Sequence, residues 1–143
     1  MKMKKRTDEL FKILEKQDSF RAYEAEYSGE FSDRPLNEML SDMLKSSGMT
    51  KSAVIEKANI DRVYGYQIFS GEKKNPSRDK LIMLCIAMGC TVSNVQELMK
   101  KCSYPMLYPR IRRDSALIFS LEQKLSVIET NELLFDLGME ILE

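Results

Sequence analysis

Residues 36–99 spell five helices, and the second and third are short and joined by a tight turn. A helix of two turns is marginal in water by itself, so these two must be held by packing against their neighbours. Leu36, Met39, Leu40, Met43 and Leu44 mark the first helix, which ends at Gly48. Thr50 caps the second, which carries Ala53, Val54 and Ala58. Asn59-Ile60 is the turn, because Asn tolerates positive φ better than most residues. Asp61 caps the third, which runs through Tyr64 and Ile68 and stops at Gly71. The polar loop GEKKNPSR follows, and Ser77 then caps a fourth helix carrying Leu81, Ile82, Leu84, Cys85 and Met88, ended by Gly89. No stretch sustains the alternation of a strand, so an all-α fold is expected.

The flanks read as helices too. Leu10, Phe11, Ile13 and Leu14 form a short apolar patch, with Thr7 the expected N-cap and Glu9 in the first turn. Phe20, Tyr23, Tyr27 and Phe31 fall on one helical face, the pattern of a core or dimer contact. Gly29 and Ser32-Asp33-Arg34-Pro35 break the chain. Past the fourth helix a unit recurs: RDKLIMLCIAMGCTVSNVQELM (78–99) aligns with RDSALIFSLEQKLSVIETNELL (113–134) at an offset of 35. GMTKSAVIE (48–56) also matches GCTVSNVQE (89–97). The shared content is a helix, a tight break, a Ser/Thr N-cap and a second helix. Such αα-hairpins cannot bury their apolar faces alone and are expected to stack as packing scaffold, though tetratricopeptide signature residues are missing. Three divisions are expected: an N-terminal helical extension over 1–34, a central domain over 35–103 and a C-terminal helical hairpin over 104–143.

Residue types narrow the chemistry. There is no His, which removes His-based acid–base catalysis, Ser–His and Cys–His nucleophiles and His-ligated metals. No phosphate-cradling Gly loop or metal-ligand spacing appears, and no enzyme activity, cofactor or metal is expected. Cys85, Cys90 and Cys102 form no C-x-x-C pair and are expected to act as small buried hydrophobes in a reducing cytoplasm. No apolar run approaches the roughly 20 residues of a membrane span, and MKMKKRTDEL has no apolar signal region behind it.

A helix that braces across a nucleic-acid backbone while the next enters the major groove is what a helix-turn-helix needs. The tract MTKSAVIEKANI, then Gly71, then NPSRDKLIMLCIAMG resembles the DNA-binding domain of lambda-repressor-like, XRE-type transcriptional regulators of bacteria and phage. The continuation LYPR…RRDSALIFSLEQKLSVIETNELL resembles an extension found in some bacterial members. The resemblance implies a five-helix domain whose recognition helix runs from Asp61 to Phe69. It places Arg62, Val63, Tyr66 and Gln67 where base-reading side chains stand. Arg can bond guanine, Gln adenine, and Val can pack on a thymine methyl. Thr50, Lys51, Ser52, Tyr64, Lys73, Lys74, Ser77 and Arg78 are the implied phosphate contacts. The implied partner is double-stranded DNA, bound by a homodimeric regulator, more in keeping with a repressor; an unknown effector or protein partner would meet the C-terminal hairpin. The other class of function kept open is a helical protein-interaction adaptor that reuses the fold without DNA.

Three departures from the family pattern stand out. Asn59 replaces the usual turn Gly. Ile55 stands where a small Ala is usual and Gly65 where a large aliphatic is usual, which is expected to be an exchange of volume. Leu44 and Phe69 replace an Arg–Glu pair with an apolar one. The formal net charge is zero from 22 basic and 22 acidic residues, yet it is unevenly spread. Residues 35–103 hold ten basic against seven acidic groups, and 104–143 hold four against seven. Within 45–80 the count is eight against four, so a local basic patch coexists with overall neutrality. Arg110, Arg112 and Arg113 are expected to pair with the acidic C-terminal segment rather than extend that patch.

Overall fold

Thr50, Asp61, Ser77, Thr91 and Ser126 each accept, through the side chain, the backbone N–H three residues on, at 3.0–3.2 Å. These bonds satisfy donors that a helix start leaves without partners, and so fix where five helices begin. The computed structural model describes residues 5–30 and 34–143. It falls into two compact units divided between residues 33 and 34. Among the described residues every regular element is helical. None of their helices is long and apolar enough to cross a membrane.

The first unit contains α1 (Thr7–Glu15) and α2 (Phe20–Tyr27), followed by a 3-10 turn over Ser28–Glu30. Thr7 is not the N-cap of α1: it is the first helical residue, and Arg6 before it makes no side-chain cap. Arg6 instead pairs with Asp8 at 2.8 Å. The aromatic stripe holds together as a stack, with Tyr23 at 6.3 Å from Phe20 and 5.0 Å from Tyr27, ring centre to ring centre. Tyr23 is buried. Phe31 lies outside the described residues.

The second unit holds α3 (Leu36–Ser47), α4 (Lys51–Lys57), α5 (Arg62–Ser70), α6 (Arg78–Ala87), α7 (Val92–Lys101), α8 (Arg112–Glu122) and α9 (Val127–Asp136). One hydrophobic core runs through it, from Leu40 in α3 to Leu142 beyond α9. Its axis is α6, where Leu81 to Ile86 are all buried. A helix apolar on every side belongs at the centre, and α6 packs against α4 on one flank and α9 on another. Leu44 and Phe69 lie in or against this core, as their apolar character requires.

The sequence repeat is a structural duplication, and it reaches further than the helices. Residues 78–107 are matched, feature by feature, by 113–142. Both copies break between their helices at a left-handed residue, Gly89 (φ 69°) and Lys124 (φ 57°). Both break again after the second helix, at Ser103 (φ 62°) and Gly138 (φ 73°). Gln96 then clamps Leu107 by accepting its N–H and donating to its C=O, each at 2.8 Å. Asn131 clamps Leu142 in the same way, at 2.7 and 3.2 Å. Both leucines are buried. The opening arginine of each copy donates to the carbonyls of its own extended segment: Arg78 to Pro105 and Met106, Arg113 to Glu140 and Ile141.

The two copies then exchange charges. Arg78 pairs with Asp114 at 2.9 Å and Arg113 with Asp79 at 2.9 Å. Contacts of α6 with α9 and of α7 with α8 are reciprocal in the same sense. Reciprocity of this kind is the mark of a two-fold arrangement, here inside one chain. Arg113 therefore finds its carboxylate on α6 rather than in the acidic tail, while Arg112 donates to the Leu137 carbonyl.

Asp114 is the most enclosed member, with 4% of its side chain exposed. Burial pushes its carboxyl up, but Arg78, the Tyr108 N–H and the charge of Arg113 outweigh burial and hold it below its ordinary value. A carboxyl depressed in the folded state stabilises fully above the unfolded value of about 3.9, and that share is lost as pH falls through the lower, folded value. Asp114→Asn is expected to cost about 3 kcal/mol in urea unfolding near neutrality, because Arg78 loses its partner. The variant should also lose less further stability than the parent between pH 5 and pH 2.5, a comparison that separates the charge from the packing.

Candidate nucleic-acid interface

The turn between α4 and α5 is a closed helix end. Asn59 adopts φ 58°, its N–H reaches the Glu56 carbonyl at 3.0 Å, and the Ile60 N–H reaches the Ile55 carbonyl at 3.3 Å. This doubly bonded stop puts one left-handed residue at the corner and buries the next side chain against the helix it has just left. Ile55 and Ile60 are both buried, as that geometry demands. Asp61 then starts α5 by accepting the Tyr64 N–H. The corner and both helices follow from four residues: Thr50, Asn59, Ile60 and Asp61.

The packing of α5 on α4 rests on the exchange of volume between Gly65 and Ile55. A methyl group placed on Gly65 would lie 2.6 Å from Ile55 Cγ2 and 2.8 Å from Cγ1. Both carbons are attached directly to the branched Cβ, so they cannot swing clear as the end of a long side chain would. In this pair of helices α4 supplies the bulk and α5 the space for it. Gly65, Ile68 and Phe69 make up the buried side of α5.

The outward side carries the residues expected to read bases. Arg62, Val63 and Tyr66 are exposed, Val63 at 65%, and Gln67 is half-buried. The Arg62 guanidinium stands 5.9 Å from the centre of the Tyr66 ring, which steadies it without consuming its hydrogen-bond donors. An exposed Val at the second position of a helix has no packing reason to be apolar, and a thymine methyl is the kind of contact it can make. Thr50, Lys51 and Ser52 are exposed at the start of α4, and Lys73, Lys74 and Ser77 are exposed in the following loop. Thr50 and Ser77 use oxygen lone pairs for capping, which leaves each hydroxyl proton to donate to a phosphate. Among the described residues Lys51, Arg62, Lys73 and Lys74 take part in no ion pair within 4.0 Å.

Arg78 is placed elsewhere. Expected as a phosphate contact, it spends its guanidinium on Asp114 and on the carbonyls of Pro105 and Met106. Tyr64 is half-buried, and Lys80 lies over its ring at 5.8 Å. Lys80 did not stand out in the sequence as a site residue. Its signal is position, three residues after the Ser77 cap, in the first turn of the helix that follows the basic loop. The loop itself is anchored at its far end, where Tyr104 Oη donates to the Pro76 carbonyl at 2.6 Å.

Residues 39–101, which span α3 to α7, match the family model of the Cro/C1-type HTH DNA-binding domain. The chain therefore carries a helix-turn-helix domain of that type, in an all-α setting. No curated protein and no solved structure matches the chain.

The Gly65–Ile55 contact can be tested by a double-mutant cycle. Gly65→Ala gains about 1 kcal/mol of helix propensity, yet overpacking against Ile55 is expected to leave it about 1–3 kcal/mol less stable. Placed on an Ile55→Ala background, the same change should become neutral or stabilising. Thermal unfolding of the four proteins decides it, with equal effects in both backgrounds as the contrary result.

Proposed function

We propose that this chain, with its Cro/C1-type domain, is a sequence-specific DNA-binding transcriptional regulator of the cytoplasm. It acts as a homodimer, represses, and reads the major groove with α5. The observation that carries the reading is the contrast between the two sides of α5. Its inner side is fixed by Gly65, Ile68 and Phe69 in the core, while Arg62, Val63 and Tyr66 face outward. A side chain on a rigid helix can reach a base edge with little ordering cost. In this reading Arg62, Val63, Tyr66 and Gln67 contact bases. Thr50, Lys51, Ser52, Tyr64, Lys73, Lys74 and Ser77 contact phosphates, and Lys80 joins them. Arg78 serves the fold instead.

The duplication supports α9 as the dimer surface. Ile128 and Phe135 are 65% and 76% exposed, and their counterparts in the first copy are Ser93 and Lys100. The repeated fold accepts polar residues at both places, so the apolar pair serves something other than folding. The same surface is where a protein partner or effector would meet the C-terminal hairpin. A cleft of about 610 Å³ there is lined by Asn59, Ile128, Asn131, Glu132, Phe135, Asp136 and Ile141.

Selection of binding sequences from a random DNA pool, followed by titration at 50 and 200 mM salt, tests the reading. A shared motif bound well below micromolar affinity is expected. Arg62→Ala should cost about 1–3 kcal/mol and relax preference at one base position. Lys73→Ala should weaken binding to all sequences alike and lower the salt slope by about 1. Recovery of no motif would remove DNA reading and favour the adaptor. Separately, Ile128→Ser with Phe135→Lys, which installs the first copy's residues, should convert a dimer to a monomer in sedimentation without loss of helicity. A dimer that survives the change places the interface elsewhere.

A further inference from the structure

The end of α6 brings two cysteines into a contact that its counterpart in the second copy does not repeat. The helix closes with the Cys90 N–H on the Cys85 carbonyl and the Gly89 N–H on the Ile86 carbonyl, both at 3.0 Å. In a helix stop of this form the residue after the left-handed one lies against the residue five before it, normally as an apolar contact. The second copy closes identically, with the Leu125 N–H on the Ser120 carbonyl at 3.0 Å and the Lys124 N–H on the Leu121 carbonyl at 3.2 Å. The motif therefore needs no sulfur at either place. In the first copy both places are thiols, Cys85 and Cys90.

The two thiols have unlike surroundings. Cys85 is fully buried, while Cys90 is half-buried and lines a cleft of about 250 Å³ with Asp42, Met43, Ser47 and Asn94. The Lys124 ammonium, at the matching break of the other copy, donates to the Gly89 carbonyl at 3.1 Å, one residue from Cys90. The hydrogen bond from Cys85 and the charge of Lys124 draw the Cys90 thiol below its ordinary value, against the effect of burial. The bond to Cys90, then burial, push Cys85 up. A half-buried thiol at the wall of a cleft, close to a lysine and next to a fully buried thiol, is the arrangement of an attacking and a resolving cysteine.

We propose that Cys90 and Cys85 are a dithiol modification site that takes a hydroperoxide as oxidant, with Lys124 as the activating cation. The Cys90 thiolate attacks one peroxide oxygen; an S–O bond forms, the O–O bond breaks, and the alcohol or water leaves with a proton. Cys90 is now a sulfenic acid and the peroxide has taken two electrons. Cys85 sulfur then attacks Cys90 sulfur; the S–S bond forms, the S–O bond breaks, and water leaves with the Cys85 proton. Two thiols and one hydroperoxide give one disulfide, one alcohol and one water. An external dithiol reverses the change. Cys102, against the Met39 sulfur at 3.6 Å, has no second thiol beside it among the described residues and stays reduced.

Hydrogen peroxide on the full folded chain, followed by denaturation, thiol alkylation and tryptic mass mapping, tests this. Cys85 and Cys90 lie together in the peptide 81–100 and Cys102 outside it. The peptide is expected to lose two hydrogens and take up no alkylating agent, while Cys102 is still alkylated. Oxidation of its methionines adds oxygen and is told apart by mass. Cys85→Ser, the residue at the equivalent place in the second copy, should leave a Cys90 sulfenic acid that dimedone traps. Lys124→Gly suits the left-handed backbone there, and should slow disulfide formation by about threefold or more. Cys102 reacting before Cys90, oxygen added to Cys90 with Cys85 still alkylatable, or an unchanged rate in Lys124→Gly would each overturn the assignment.

Discussion

Two arginine–aspartate pairs, exchanged between the copies of a duplicated unit, hold this structure in register. Arg78 and Arg113 each do three things at once: they bond the carbonyls of their own extended segment, stand in the first turn of their own helix, and neutralise the aspartate of the other copy. A half-buried guanidinium with only one of these duties would leave donors without partners, and the cost of desolvating it would exceed what one ion pair returns. With every donor directed, the pair becomes a specific lock. It ties down the first turn of α6, and α6 is the element on which α4, and through α4 the helix α5, is seated.

The duplication also separates what the fold demands from what it tolerates. Leu107 and Leu142 are both buried and both clamped by an amide side chain, so that feature belongs to the unit itself. The pairs Ser93 and Ile128, Lys100 and Phe135, and Leu125 and Cys90 differ in chemistry at equal positions. A difference that the backbone absorbs without change is free to serve another purpose. The outward face of α9 and the thiol pair are both differences of this kind.

Much of the fold was legible in the sequence because its signals are local. Thr50, Asp61 and Ser77 cap helices where a hydroxyl or carboxylate precedes an apolar run, and Asn59 turns the corner because its backbone accepts positive φ. The contact of Ile55 with Gly65 was also readable, as two departures whose volumes cancel. Arg78 was not. Its type and its place beside a basic loop suit a phosphate contact, and only the approach of Asp114 from 36 residues away gives it another task. Thr7 failed for the opposite reason: a good capping residue stands one position inside the helix, whose start has no side-chain cap. Exposure of Val63 and of Ile128 likewise depends on which neighbours arrive, which no local pattern records.

The loop between α5 and α6 is tied at both ends, by the closed stop at Gly71 and by Tyr104 on the Pro76 carbonyl. Lys73 and Lys74 therefore project from a short span whose backbone has few alternative shapes. A free loop of that composition would surrender conformational entropy on meeting a polyanion, on the order of 1 kcal/mol for each backbone residue fixed. Here the span is already ordered before any partner arrives. A hydroxyl on a tyrosine 28 residues away thus helps to hold that span in one shape.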